Sequence, residues 1–317
     1  MLNLRYHVVS LVAVFLAIGI GVIMGVTVIK SGIVDQLQKR LDSVEASDRQ
    51  TRKDNDQLTT QLRTWDRFVD QGRSELLAGQ LQNVPVLLVG VDGVDRTSVG
   101  DLRSDLVAAG ADTLGTLWLT DKLNLRTQAD ANALATVLGI PQDTPDVVRA
   151  TALSKLAGVL EAGGDPAGVI PAMRQSGFLD YEAPPTGPST SSPTTVPPGP
   201  ESIPVPGTRT VIVSGAGARL DDDTMTMPFV TQLAMAGAPV VAAEAGQDTP
   251  GGRGVFVGLI RQRPETATRV STVDNLESYI GQAATVLALR DTGKPAVSHY
   301  GVGPGAQRLL PETPAVP

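Results

Sequence analysis

Cysteine is absent from all 317 residues. That removes disulfides, thiolate metal sites and cysteine nucleophiles from consideration. Aromatic residues are scarce, with two Trp, four Tyr and five Phe. A lipid-spanning β-barrel carries aromatic girdles at both interfaces, and this chain could not furnish them. There are two histidines, His7 at the edge of an apolar run and His299 in a Gly-rich segment. No acidic residue lies near His299 in sequence to complete a Ser-His-Asp arrangement. Basic excess is also lacking, since the net charge is −7. Residues 30–82 are neutral, with nine Lys/Arg against nine Asp/Glu, so the acidic excess belongs to residues 83–317. Nucleic-acid binding needs a clustered basic face, and none is expected.

What the chain does have is a long apolar run. Val8 to Ile29 carries no charge and is bracketed by Arg5 and Lys30. At 1.5 Å per residue it covers about 33 Å, enough for a hydrocarbon core of about 30 Å. It exceeds the apolar stretch of a cleaved signal peptide and lacks a small-residue cleavage site at Thr27-Val28-Ile29. An uncleaved single-pass anchor is therefore expected. Ala17, Gly21 and Gly25 fall four apart, which puts three small side chains on one helix face where another helix could approach closely. Lys/Arg bias would place the C-terminal side in the cytoplasm, but a large following domain can translocate regardless.

A heptad pattern follows. With Val34 as a, the a series continues through Leu41, Asp48, Asn55, Leu62, Val69 and Leu76, and the d series through Leu37, Val44, Thr51, Leu58, Trp65 and Gly72. Intervening positions are almost all polar, so a lone helix here would bury nothing, and the pattern predicts a partner helix. Asn55 at a, and Arg40 at g opposite Glu45 at the following e, suit an in-register parallel homodimer. The same pairing would engage the small-residue face of the anchor. The polar centre at Asp48, Thr51 and Asn55 is equally a place for another protein's helix, and a plain structural stalk is the simplest alternative.

Beyond Gly79 the period changes. Apolar strands are predicted near 84–91, 113–119, 210–213, 239–243 and 269–273, alternating with helices near 98–109, 129–139, 144–162, 167–176, 223–237, 254–262 and 276–289. The alternation predicts a doubly wound α/β fold with about five parallel strands. A Pro/Ser/Thr/Gly tract from Pro184 to Pro206 reads as a flexible loop of extracytoplasmic character. The expected organisation is an anchor over 1–30, a coiled coil over 31–78, and an α/β domain over 79–317 with a loop at about 183–208.

Ligands of open α/β sheets bind at the carboxyl ends of strands. The residues so placed are Asp92, Gly215, Gly217, Glu244 and Asp274, with His299 a further candidate. Gly215 and Gly217 after a strand resemble part of a phosphate-cradling turn, but the third glycine is missing. Asp221, Asp222 and Asp223 would repel a phosphate and read better as a helix N-cap and first turn. Asp92 and Asp274 could share a divalent cation or could each cap a helix. Met225, Met227 and Met235 are the available thioethers for soft copper and read first as packing residues. Pro228 biases Met227 away from the helical region, which would let Met225 and Met227 converge on an extended segment. No catalytic constellation emerges, and neither an enzyme nor a cofactor is expected.

Several segments carry a family resemblance. The start R-x-H-x-V-S-L-x-A-V-F-L-A (Arg5 to Ala17) is followed by a Gly-rich anchor and the heptads. With it stand V-S-T-V-D-N at Val270 to Asn275, H-Y-G-x-G-P-G-A at His299 to Ala306, and Leu309-Leu310-Pro311. Together they resemble the actinobacterial MctB family, including its SteB-type corynebacterial members. The MctB resemblance implies a protein of copper transport and resistance in the cell envelope. The SteB resemblance implies a membrane-anchored partner of SteA that controls septal peptidoglycan hydrolysis. It transfers no ligand set to positions in this sequence.

Overall fold

In a computed structural model the described residues are 4–184, 199, 203–246, 255–294 and 297–312. Most of the Pro/Ser/Thr tract and the extreme C-terminus lie outside them. The chain divides into two units, Met1–Asp70 and Gln71–Pro317.

The first unit is helix throughout its described length. It belongs to α1, which runs Leu4–Leu77 without interruption. No proline occurs before Pro85, so nothing removes an intrahelical hydrogen bond or clashes with a preceding turn. Anchor and heptad segment are therefore one element. Arg5–Gly25 is the stretch long and apolar enough to cross a membrane, with a mean hydropathy of 2.7. Farther along, the polar surface satisfies itself: Arg49 pairs with Glu45 and Arg52 with Asp48 one turn away. The heptad apolar residues are open to the surroundings. Leu37, Leu41, Val44, Leu58, Leu62 and Trp65 are 51–64% exposed. Val69 is half-buried, and the side chain of Val34 lies outside those described.

The second unit opens with the last turns of α1 and continues as β1 (Pro85–Val91), α2 (Arg96–Ala108), β2 (Asp112–Leu119), α3 (Gln128–Leu138), α4 (Pro145–Ala162), α5 (Val169–Gln175) and β3 (Leu179–Glu182). After the tract come β4 (Arg209–Gly215), α6 (Met227–Ala236), β5 (Val240–Ala245), α7 (Phe256–Gln262), α8 (Pro264–Ala267), β6 (Ser271–Val273), α9 (Tyr279–Arg290) and β7 (His299–Tyr300). All five anticipated strands are present, but among the described residues the sheet has seven, in the order β3-β2-β1-β4-β5-β6-β7. Every pairing is parallel except β3 on β2. The two additional strands sit at the edges, where four and two residues suffice to extend the ladder.

Successive strand side chains point to opposite faces. Val86 to Val91, Thr210 to Ser214 and Val240 to Ala245 are buried at every position, so helices cover both faces. Gly90 is needed for this: a Cβ there would come within 2.5 Å of the Trp118 ring on β2. The tract does contribute to the core at its described end, contrary to a wholly unpacked loop, because Ile203 is fully buried.

Candidate functional site

Strand order reverses between β1 and β4, and the crevice at such a switch point is where doubly wound sheets bind ligands. Here the turns after the two strands fill it. A Cβ on Gly93 would lie 2.2 Å from the Gly217 carbonyl oxygen, and one on Gly217 would lie 2.6 Å from that of Gly93. Both residues have positive φ, so glycine is required on steric and conformational grounds alike. The Arg219 amide donates to the Asp92 carbonyl at 2.8 Å, and its guanidinium reaches the Asp92 carboxylate at 2.9 Å. Gly215 is pressed on β5, where a Cβ would meet the Ala245 oxygen at 2.4 Å. These glycines close backbone on backbone; the resemblance to a phosphate cradle is not carried by their geometry.

The three aspartates that follow have separate tasks. Asp221 accepts from the Thr224 amide as an N-cap, as expected. Asp222 accepts from the Ser214 hydroxyl at 2.5 Å, and its burial pushes its carboxyl above the ordinary range against that hydrogen bond. Asp223 pairs with Arg263 at 2.6 Å. Glu244 is fully buried and accepts from the amides of Val255 and Val257, capping the start of α7.

At β6 the arrangement is a buried ion pair. Asp274 and Arg261 lie 2.7 Å apart with side chains 0% and 4% exposed. The Arg261 fork also donates to the Thr272 hydroxyl and to the carbonyls of Pro304 and Tyr300. Asp274 accepts from the amides of Val302 and Gly303. A Cβ on Gly301 would fall 2.0 Å from its Oδ1. His299 Nδ1 is 3.0 Å from the Thr272 hydroxyl. Burial, with the Arg261 charge, holds the imidazole below its usual range. The V-S-T-V-D-N and H-Y-G-x-G-P-G segments are thus two halves of one lock, closed by an arginine that belongs to neither.

The candidate residues therefore fall into two groups. Asp92 joins the Gly217 turn, and Asp274 joins His299. β4 and β5 stand between β1 and β6, a separation of about 14 Å at ordinary strand spacing, so Asp92 and Asp274 cannot share a cation. Among the described residues no cluster of three or more His, Cys, Asp or Glu could hold a metal. Met225 and Met227 are buried, whereas Met235 is 69% exposed. Met227 is helical despite Pro228, because proline is tolerated in the first turn of α6, so the extended arrangement considered for the two thioethers does not occur.

A further charged cluster escaped the sequence reading. Arg73, near the end of α1, places Nε 2.7 Å from Asp105 Oδ1 on α2, donates to Gln282 on α9, and lies over the Tyr279 ring. Burial outweighs the Arg73 charge and pushes the Asp105 carboxyl up to about 6. An open polar cleft of about 390 Å³ lies at the carboxyl end of β2, lined by Thr120, Asp121, Lys122, Arg126, Asp130 and Gly177. Asp130 is committed to a capping box with Thr127, and Lys122 to the Ser176 carbonyl.

A family model described as "Copper transport outer membrane protein, MctB" matches residues 1–311. The chain belongs to the MctB family. It is similar to proteins named copper transporter MctB from Mycobacterium tuberculosis and Mycobacterium bovis. Each is 26% identical over 330 residues, covering 98% of this chain and 99% of the relative. The match spans the apolar N-terminal segment, the heptads and the α/β domain together, so the MctB family resemblance read from the motifs holds.

Proposed function

We propose that this protein serves copper transport or homeostasis at the cell envelope as a non-enzymatic component, held by the N-terminal part of α1 with residues 30–317 outside the cytoplasm. What supports the reading is the extent of the family match, which takes in the anchor as well as the domain. The test is a deletion strain challenged with graded copper. Sensitivity restored by the full chain supports the reading; growth equal to the parent at every concentration sinks it. A reporter fused after Pro317 tests the topology, and activity of a cytoplasm-only reporter there would overturn it.

Copper need not be ligated. Among the described residues the donors outside the anchor are buried methionines, an exposed Met235 and a His299 whose Nδ1 lies 3.0 Å from the Thr272 hydroxyl. A second reading is favoured by the exposed heptad stripe. In it the chain is a coiled-coil scaffold, a parallel homodimer through Val34–Leu76, that recruits an envelope partner and regulates septal peptidoglycan hydrolysis as SteB-type proteins are described to do. A full-length protein that sediments as a monomer in detergent at tens of micromolar would remove the homodimer. Normal septation in the deletion strain would remove the scaffold.

A further inference from the structure

The homodimer reading has a geometric consequence, because α1 passes from anchor to heptads without a break. On a continuous helix each residue turns about 100°, so a seam in one segment fixes which side of the other faces the partner. Measured that way, Ala17, Gly21 and Gly25 lie about 180° from the centre of the first seam positions Val34, Leu37, Leu41 and Val44. Gly19 lies within about 20° of it. Counting back by sevens gives the same answer: Ile20 falls on a, Leu16 and Ile23 on d, and Gly19 on the adjoining g. Gly21 and Gly25 fall on the outer positions b and f.

The side of the anchor in phase with the seam has a shape of its own. Val12, Phe15, Leu16, Gly19, Ile20 and Ile23 line a shallow apolar groove. At its floor Gly19 is open, with nothing within 4 Å of where a Cβ would stand. We propose that a second copy of this chain occupies this groove, so that the stalk seam continues into the membrane and the Ala17–Gly21–Gly25 face is turned away from that copy. The occupant follows from the heptads. Asn55 at a is satisfied by an identical residue in register, and Arg40 at g meets Glu45 at e of a like chain. The proposal rests on the homodimer reading and can fail separately from it.

The absence of cysteine makes the test clean, since each single-cysteine variant has one thiol. Full-length Leu16→Cys, Ile20→Cys and Ile23→Cys would be oxidised in native membranes beside Ala17→Cys, Gly21→Cys and Gly25→Cys, with Leu58→Cys reporting on the stalk. Disulfide dimers should form several-fold more from Ile20→Cys and Ile23→Cys than from Gly21→Cys and Gly25→Cys. Adding Gly19→Leu should suppress them while leaving the Leu58→Cys dimer intact. Equal or stronger cross-linking from the Gly21 and Gly25 variants overturns the proposal. So does a Leu58→Cys dimer with none from positions 16, 20 and 23, in which case the stalk homodimer survives. No cross-link at any position overturns both.

Discussion

The two units handle apolar side chains in opposite ways. In the α/β unit, Leu87, Leu102, Val211, Phe229 and Val257 are 0–2% exposed, packed by neighbours from the same chain. In the first unit, Phe15, Leu16 and Ile23 are 63–69% exposed, and Leu41 and Leu62 are about as open. An isolated amphipathic helix gains little in water because most helical stability comes from tertiary packing. The α/β unit therefore carries its own folding free energy, whereas under the proposed function the first unit would draw its stability from lipid and from a partner helix. Substitutions in one should leave the other's measured property almost untouched.

The largest separation is expected from Arg261→Ala. It leaves the Asp274 carboxylate buried without its cation, which costs about 3–5 kcal/mol. Urea midpoints of the full-length protein in detergent should fall accordingly while sedimentation is unchanged; a midpoint within error of wild type would show that the lock is not structural. The Asp105 carboxyl comes next. Its folded value of about 6 lies above the ordinary carboxyl value of 3.8, so its contribution is complete below about pH 4 and is lost as pH rises through about 6. The shift corresponds to about 3 kcal/mol. The stability difference between wild type and Asp105→Asn should move by an amount of that order between pH 4 and 7.5, in the sense of a relative wild-type loss at the higher pH. A difference independent of pH would refute it.

Asn55→Leu acts on the other side of the comparison. It should raise the melting temperature of the helical stalk and admit oligomers other than dimers, with the unfolding free energy of the α/β unit changing by less than about 0.5 kcal/mol. A single dimeric species by sedimentation would deny Asn55 its role. The smallest effect concerns copper. Met225→Leu with Met227→Leu conserves core volume and should leave Cu(I) competition against a chromogenic chelator unchanged. A loss of stoichiometric, high-affinity binding in that double variant would make direct ligation real.

The five central strands were legible because burial on both faces leaves continuous apolar runs such as Val86 to Val89. β3 and β7 were not, since Leu179–Glu182 and His299–Tyr300 are too short and too polar to show a period. Sequence position placed Asp92, Gly215, Gly217 and Asp274 at strand ends, where they are. It could not say that the turns interlock, because that depends on which strands become neighbours. Arg261 carried a usable signal: a single charge closing the apolar run Phe256 to Ile260 implies a buried anion, and Asp274 is the anion it meets. The continuity of α1 is also legible in the absence of proline before Pro85, although composition alone divides it into an apolar and a heptad segment.

The interlocked turns at Gly93 and Gly217 bear on how this sheet can change over evolutionary time. In most doubly wound proteins a new ligand is admitted by swapping side chains around a vacant entrance. Here main chain occupies that entrance, and each glycine admits the other's carbonyl. No single codon change can clear it, because trimming a side chain below glycine is impossible. Any substitution at either position adds atoms where none fit, so opening the entrance would require lengthening or re-routing a loop. Innovation in this domain is thereby directed to its rim and to the helix that precedes it.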